Sequence, residues 1–300
     1  MDSKDVRKRK PQSTNSLESA KKLKKADTSL LVCCLTCRKV FSEQEPHYCF
    51  CKSGLLNLGN SCYINSVLQV LAELQIEPKL QETSALSELL SQLRSYNSKP
   101  LSVEGILEEI GAIWTHRNMQ EDAHEFLICM MQLLNHSKFL FEVQSQGFCE
   151  NCKNAFGGEV KEDNTFHMVM NGVHLQDQIK GVSESIEMNC SVCNYQKQIW
   201  NKQIVREPEI LVVKLNRFYF NAKTGRACKI TNKVELPQEL KVNERLYRLN
   251  SVIMHKGKSL HYGHYVSYFY NKRIEIDDEK VNYGKVLDLD YSYYYIAFYS

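Results

Sequence analysis

The chain lacks any run of about 20 apolar residues, the length a helix needs to cross a bilayer, so no membrane partner is expected. It also lacks the apolar core of a secretory signal near its first residues, which argues against an oxidising destination. Its 12 cysteines are therefore expected as thiols and metal ligands in a reducing compartment, not as a disulfide framework. No block recurs at a fixed period, which excludes a repeat architecture. A large excess of either charge is lacking too, with 38 Lys/Arg against 35 Asp/Glu. The formal net charge of +3 comes from a basic tail, because residues 1–29 carry nine Lys/Arg against four Asp/Glu and the remainder carries 29 against 31. What is present is 43% hydrophobic residues over 300 positions, enough for one large domain or two ordinary ones.

Residues 1–29 show no periodicity and are rich in Lys, Ser and Asp, a composition that buries too little apolar area to offset chain entropy, so this arm is expected to be disordered. Arg7 to Lys10, a ten-residue spacer, and then Lys21, Lys22, Lys24 and Lys25 give the pattern of a bipartite nuclear localisation signal. The competing reading is a solvating or nucleic-acid-attracting tail, which leaves direct nucleic-acid binding open. A nuclear location is expected, with the cytoplasm as the second. Residues 30–53 hold Cys33, Cys34, Cys37, His47, Cys49 and Cys51. Cys34, Cys37 and His47 with Cys49 or Cys51 would make a small zinc site; loose surface thiols are the alternative.

The stretch GLLNLGNSCYINSVLQ, Gly54 to Gln69, places Cys62 where a glycine-rich loop becomes a helix. Ile64, Val67, Leu68 and Leu71 recur at the spacing of one buried face, with Asn60 or Ser61 as N-cap. A thiol in the first turn meets unpaired backbone N–H groups and the positive end of the helix dipole, both of which favour the reactive thiolate. Asn57, a few residues earlier, offers a side-chain amide that could donate to an oxyanion. A lone cysteine at a helix start is more often structural, and it is the surrounding loop that shifts the balance toward a nucleophile.

Helical periodicity continues to about Ser137. The segment Asn118 to Leu134 carries an apolar stripe of Ala123, Phe126, Leu127, Met130 and Leu134, and Asn118 with Glu121 looks like its capping pair. Beyond Lys138 the texture becomes β: Glu209 to Phe220, Leu246 to His255, His264 to Asn271 and Tyr293 to Tyr299 are rich in β-branched and aromatic residues. Helices followed by antiparallel strands imply an α+β fold. Between these regions Cys149 and Cys152 form one C-x-x-C pair, and Cys190 and Cys193 another. Four thiolates arranged as two knuckles are the donor set of a structural zinc, and the 37 residues between them suit knuckles that cap long strands. No His, Asp or Glu within either knuckle suggests an open catalytic position.

A thiol nucleophile needs a base. His116, His124 and His136 lie in or beside helices and read as ordinary satisfied histidines, while His167 and His174 carry no motif. His264 is different, because it opens an aromatic strand directly after Gly263. A hairpin about Asn271 and Lys272 would set His264 opposite position 279 and make Asp277 its diagonal neighbour. A carboxylate there would fix the imidazole tautomer and support the imidazolium. Asp278 is not separable from Asp277 in this role by sequence alone.

These blocks, in this order, resemble the ubiquitin-specific protease family of deubiquitinating cysteine peptidases, a papain-like clan, over roughly Lys52 to Ser300. GLLNLGNSCYINSVLQ is similar to the family's cysteine box, and QEDAHEFL (Gln120 to Leu127) to its acidic helix motif. The paired knuckles resemble its zinc ribbon, LNRFYF (Leu215 to Phe220) the strand after the ribbon, and HYGHYVSYFYN with YIAFY its histidine box and terminal strand. The resemblance implies a hand-shaped catalytic domain over 54–300, with a helical thumb at about 54–137, zinc-capped fingers at about 138–236 and a β palm at about 237–300. It implies Cys62 as nucleophile, His264 as base, Asp277 as orienting acid and Asn57 as oxyanion donor. Asp122 would meet the arginine-bearing ubiquitin tail, and Tyr265 would narrow a channel that passes only a diglycine. The strand before Asp277 lacks the tryptophan often found there, and the large insertions of bigger relatives are missing.

The expected activity is hydrolysis of the isopeptide bond between the ubiquitin C-terminal glycine and a substrate lysine, with zinc as a structural cofactor. Ubiquitin, ubiquitinated proteins and a chromatin-associated complex are the expected partners. Two rivals remain at this stage: a non-catalytic ubiquitin-binding scaffold, and a zinc-bearing chromatin or nucleic-acid adaptor.

Overall fold

A computed structural model describes residues 32–33, 40–41, 52–77, 84–95, 99–115, 119–134, 136–181, 183–257, 259, 262–284 and 291–300. The chain divides into two units, residues 1–50 and 51–300. In the first, β1 (Val32–Cys33) pairs antiparallel with β2 (Val40–Phe41). The basic arm and the expected ligands Cys34, Cys37, His47 and Cys49 lie outside the described residues.

The second unit begins with four helices: α1 (Cys62–Glu73), α2 (Ala85–Arg94), α3 (Glu104–Glu109) and α4 (Ala123–Leu133). Then come β3 (Phe141–Cys149), β4 (Ala155–Asp163), β5 (Phe166–Met168), the short α5 (Leu175–Ile179), β6 (Ser183–Ile186) and β7 (Gln198–Arg206). The remaining elements are β8 (Leu211–Leu215), β9 (Phe218–Asn221), β10 (Arg226–Lys229), β11 (Glu239–Val242), β12 (Arg245–Lys256), β13 (His264–Phe269), β14 (Ile274–Asp277), β15 (Lys280–Tyr283) and β16 (Tyr294–Tyr299). The fold is α+β, as the order of periodicities implies. No helix among the described residues is long and apolar enough to cross a membrane.

The strands form two principal sheets. A four-stranded sheet runs in the order β4-β3-β7-β6, and an eight-stranded sheet runs β15-β14-β13-β12-β16-β8-β5 with β11 added against β12. Strands β5 and β8 therefore share a sheet with His264, although both fall within the span 138–236 expected to build the fingers; only β3, β4, β6 and β7 of that span make the separate sheet. The last strand, β16, lies in the middle, antiparallel to β12 on one side and β8 on the other.

Helix α1 is the keystone of the packing. The stripe of Ile64, Val67, Leu68 and Leu71 is buried as its spacing implies, and burial extends to every residue from Cys62 to Ala72. A helix covered on all sides must satisfy its polar side chains internally. Asn65 donates to the Leu56 carbonyl at 3.2 Å, Ser66 to the Tyr63 carbonyl at 3.0 Å and Gln69 to the Ser53 carbonyl at 2.7 Å. At its far end Glu73 is gripped by Lys52 at 2.8 Å and Lys272 at 2.7 Å, which counters a carboxylate placed unfavourably at the negative end of a helix dipole.

Two expected elements change shape. The helix expected from Asn118 begins at Ala123, and its N-cap is Asp122, whose Oδ1 accepts from the amides of His124 at 2.7 Å and Glu125 at 3.4 Å. A short carboxylate at the cap outcompetes the expected Asn118 and Glu121 pair because it satisfies two unpaired amides directly. The strand expected over Glu209 to Phe220 breaks after Leu215 into β8 and β9, which belong to different sheets. The cause is Arg217. Its guanidinium is fully buried and donates to the carbonyls of Tyr294, Ile230, Asn232 and Tyr291, so the backbone must turn to aim it inward.

Candidate active site

Cys62 is the first residue of α1 and is 3% exposed. The N-cap is Ser61, but its hydroxyl does not cap the helix; it accepts from the Leu58 amide at 2.9 Å and so closes the turn that leads to the thiol. Gly59 takes a φ of +112°, a left-handed conformation that favours glycine. The loop before it is stitched to two distant segments. Leu56 N–H donates to the Leu101 carbonyl at 2.8 Å, and Leu55 N–H donates to the Asp278 carbonyl at 2.9 Å.

The hairpin between β13 and β14 has the register expected from sequence. Phe269 faces Ile274, Tyr268 faces Glu275 and Ser267 faces Ile276, so the turn centres on Asn271 and Lys272 and position 264 projects opposite 279. Asp277 is thus the diagonal neighbour of His264, and its Oδ1 lies 2.5 Å from His264 Nε2. Asp278 Oδ2 is 3.9 Å from the same nitrogen, beyond hydrogen-bond range. The geometry separates the two acids that sequence could not.

With Nε2 committed to Asp277, the nitrogen left for the thiol is Nδ1. The Cys62 hydrogen bond is the largest influence on His264 and raises its pKa, burial lowers it, and Asp277 raises it again; the result is a pKa pushed up to about 9. The imidazolium is therefore the favoured form near neutral pH, poised between a sulfur and a carboxylate.

Asp278 serves the other half of the site. It adopts a φ of +50° in the tight connection to β15, and its carboxylate accepts from Asn57 Nδ2 at 2.6 Å and Asn65 Nδ2 at 2.8 Å. Asn57 is in turn held by the Gly59 amide, which donates to its Oδ1 at 2.9 Å. Gly54 permits this meeting, since a Cβ there would come within 2.4 Å of the Glu279 carbonyl oxygen. Sequence reading singled out Asn57 and missed Asn65, although Asn65 stands three positions after Cys62, on the same face of the helix.

Asp122 uses both carboxylate oxygens within the protein, Oδ1 as the cap of α4 and Oδ2 as acceptor of the Tyr295 hydroxyl. Tyr265 is buried beside it, its ring 6.1 Å from that of Tyr295, and burial followed by the Asp122 charge raises both phenol pKa values. Gln120 reaches across to the histidine strand, donating to the Gly263 carbonyl at 3.1 Å and accepting from the Gly263 amide at 3.2 Å. Sequence reading did not assign Gln120 a role. His124 behaves as a satisfied core histidine: its Nε2 is 3.1 Å from Thr165 Oγ1, Lys214 Nζ donates to its Nδ1 at 3.3 Å, and burial holds its pKa down at about 3. His116 and the side chain of His136 lie outside the described residues.

The four knuckle cysteines converge at one end of the four-stranded sheet. Their sulfurs all lie within 4.8 Å of one another, with Cys149 and Cys193 at 3.5 Å and Cys152 and Cys190 at 3.6 Å. Tetrahedral thiolates at about 2.3 Å from a zinc ion stand about 3.8 Å apart, so the cluster fits that donor geometry. The knuckles are near copies. In each the residue after the second cysteine has positive φ, Lys153 at +60° and Asn194 at +56°. Its amide returns to the first cysteine's carbonyl, at 3.0 Å for Lys153 and 2.9 Å for Asn194.

Comparison with known proteins follows the same lines. Residues 53–299 match the family model described as ubiquitin carboxyl-terminal hydrolase. Ubiquitin carboxyl-terminal hydrolase 26 of Arabidopsis thaliana is 24% identical over 290 residues, covering 80% of this chain but 26% of the relative. Ubiquitin carboxyl-terminal hydrolase 4 of the same plant is 25% identical over 323 residues, covering 80% of this chain and 86% of the relative. The mouse 17-like protein A is 26% identical over 305 residues, covering 82% and 56%. The chain thus spans about a quarter of the first of these relatives and most of the second. Among solved structures, the SAGA DUB module of Ubp8, Sgf11, Sus1 and Sgf73 bound to monoubiquitin matches with a TM-score of 0.65 at 20% identity, over 83% of this chain and 68% of that one. A yeast SAGA DUB module with a mutant Sgf73 matches with a TM-score of 0.66 at 20% identity, over the same shares of the two chains.

Proposed function

Because the chain belongs to the ubiquitin carboxyl-terminal hydrolase family, we propose that it is a thiol-dependent deubiquitinase that cleaves the isopeptide bond between the ubiquitin C-terminal glycine and a substrate lysine. The observation that carries this reading is His264 held between Cys62 and Asp277, with its pKa raised by both.

In the resting site the thiol proton resides on His264, giving a thiolate and an imidazolium. The Cys62 sulfur attacks the glycine carbonyl carbon, and the carbonyl oxygen becomes an oxyanion. The Asn57 amide has two N–H groups. One orients it on Asp278, and the other is assigned to the oxyanion together with the backbone amide at the head of α1. His264 then gives its proton to the lysine nitrogen as the C–N bond breaks, which leaves a thioester on Cys62 and frees the lysine amine. Water, deprotonated by neutral His264, attacks the thioester; the carbon–sulfur bond breaks, ubiquitin leaves with a carboxylate, and the thiolate–imidazolium pair is restored. Asp277 holds the ring throughout, as a buried acid holds the imidazole in other triads.

We assign Asp122 to the basic ubiquitin tail and Tyr265 to the narrow passage for its glycines; the Asp122 carboxylate and the Tyr265 ring both stand beside Tyr295. The knuckle cysteines are assigned one structural zinc that holds the end of the four-stranded sheet, since two such knuckles supply four thiolates and no open position. A nuclear address rests on the paired basic clusters of the arm and on the likeness to a SAGA DUB module, which also supports a chromatin-associated complex as partner.

A ubiquitin probe carrying a C-terminal electrophile should label the full chain at one cysteine and leave Cys62→Ala unlabelled. A folded, zinc-loaded chain that fails to react, alone or with nuclear extract supplying partners, overturns the reading and leaves a ubiquitin-binding scaffold.

A further inference from the structure

The chemistry above leaves unused a half-buried amine whose partners reach the histidine strand. Lys229, at the end of β10, turns its side chain inward, and its Nζ lies 2.7 Å from the His255 carbonyl oxygen, 2.8 Å from the Gly257 carbonyl oxygen and 2.8 Å from His255 Nδ1. An ammonium has three protons, and all three are committed. The rings of Phe218 and Tyr293 wall the group at 5.8 Å each. Among the described residues no carboxylate balances it within this cage; burial, and then the neighbouring Arg217 charge, lowers its pKa to about 8.

The His255 side chain carries this arrangement toward the active site. Its ring is 1% exposed and accepts at Nδ1 from the lysine, so its own proton sits on Nε2. That edge presses on Gly263, where an added Cβ would fall 2.1 Å from Nε2. The ring also packs against Tyr265, tilted at 50° with centroids 4.8 Å apart. Gly257, whose carbonyl Lys229 holds, is in backbone contact with the same residue, since a Cβ on Gly257 would lie 2.7 Å from Gly263 Cα. From the opposite side Gln120 takes both the amide and the carbonyl of Gly263. The residue before His264 is thus gripped by a ring, a neighbouring backbone and a side-chain amide, and the first two are fixed by one lysine.

We propose that Lys229 is a positioning residue of the active site: by fixing the His255 ring and the Gly257 carbonyl it sets the backbone at Gly263, and through it the orientation of His264 between Cys62 and Asp277. The inference rests on the deubiquitinase reading for its consequence in turnover, and on geometry alone for its consequence at His264. A side chain that merely filled space would be replaceable by methionine, which has similar length and no donors. A donor that sets a catalytic ring would not.

The test uses the full zinc-loaded chain and Lys229→Met, with two readouts. In hydrolysis of ubiquitin linked to a C-terminal fluorophore, kcat should fall at least tenfold with KM within twofold, because His264 acts on the reacting atoms and ubiquitin is gripped elsewhere. In an NMR titration of the His264 ring, the wild type should titrate near 9 and the variant closer to the ordinary 6.5, as contact with Asp277 and Cys62 is loosened. A folded Lys229→Met with wild-type kcat and an unmoved His264 titration overturns the proposal, as does a rise in KM alone. Should the wild type prove inactive on ubiquitin, the deubiquitinase reading fails and the titration still decides the role of Lys229. If Lys229→Met does not fold, Lys229→Arg keeps charge and volume but delivers its donors from separate nitrogens, so the three-way grip is lost; a fall in kcat with a shifted His264 titration then supports the proposal, and wild-type values of both overturn it.

Discussion

Asn57 and Asn65 donate to opposite oxygens of the Asp278 carboxylate, at 2.6 and 2.8 Å, while the neighbouring Asp277 is turned to His264. Two adjacent acids thus serve opposite halves of one site. Asp277→Asn should cut kcat about 100-fold or more, the range for losing the group that orients a catalytic histidine, and should return the His264 titration toward its ordinary range. Asp278→Asn should leave that titration near 9 and lower kcat through the loosened Asn57. NMR titration and steady-state kinetics on the two variants check the division; equal effects on the His264 pKa would refute it.

Metal content offers a second test. Substituting Cys190 with serine should remove one zinc equivalent per chain and expose the region 141–206 to protease, because the knuckles close one end of β3 and β7 and unpaired thiolates cannot. Cobalt substitution of the intact chain should give the visible spectrum of a tetrahedral four-thiolate site. Zinc content unchanged in Cys190→Ser would place the metal elsewhere.

Stability should fall as pH drops below 6.5. Burial holds His124 at about 3 and His255 at about 4, so between 6.5 and 4 the unfolded chain binds protons that the native chain refuses, and stability falls as acid is added. Urea midpoints of the zinc-loaded chain should fall between pH 6.5 and 4, and less steeply in His124→Gln; an identical fall in the variant would contradict the assignment.

Arg217 provides the largest expected stability effect. Replacing it with methionine leaves the carbonyls of Tyr294, Ile230, Asn232 and Tyr291 without their donor. Buried unsatisfied acceptors of this kind cost on the order of 3 kcal/mol or more in sum, which for a domain this size lowers the melting point by roughly 10 °C. Differential scanning calorimetry measures it directly; a loss of less than 1 or 2 °C would mean that water replaces the guanidinium.

What the sequence made legible was local. The α1 stripe, the C-x-x-C knuckles and the hairpin about Asn271 and Lys272 each depend on residues a few positions apart, where helix and turn geometry dictate the outcome. The diagonal placement of Asp277 on His264 followed from register alone. The start of α4 was misread because two capping solutions lay within five residues; Asp122, which satisfies two amides of α4 directly, also accepts from Tyr295, 173 residues away, a contact that no local pattern shows. Lys229 and Arg217 were silent because their partners are chiefly carbonyls of remote segments, and a backbone group leaves no trace in a residue pattern; the role of Asp278 was hidden because the side-chain amides it accepts from, on Asn57 and Asn65, belong to a remote segment.

Residues 294–299 form a strand with a neighbour on each side, and that position carries a consequence for synthesis. A ribosome delivers Cys62 long before it delivers β16. Until residues 294–299 emerge, β8 and β12 have nothing to join them, and Asp122 and Tyr265 lack their neighbour Tyr295. The thiol is made early and its surroundings late, so a half-finished chain carries Cys62 beside an incomplete site.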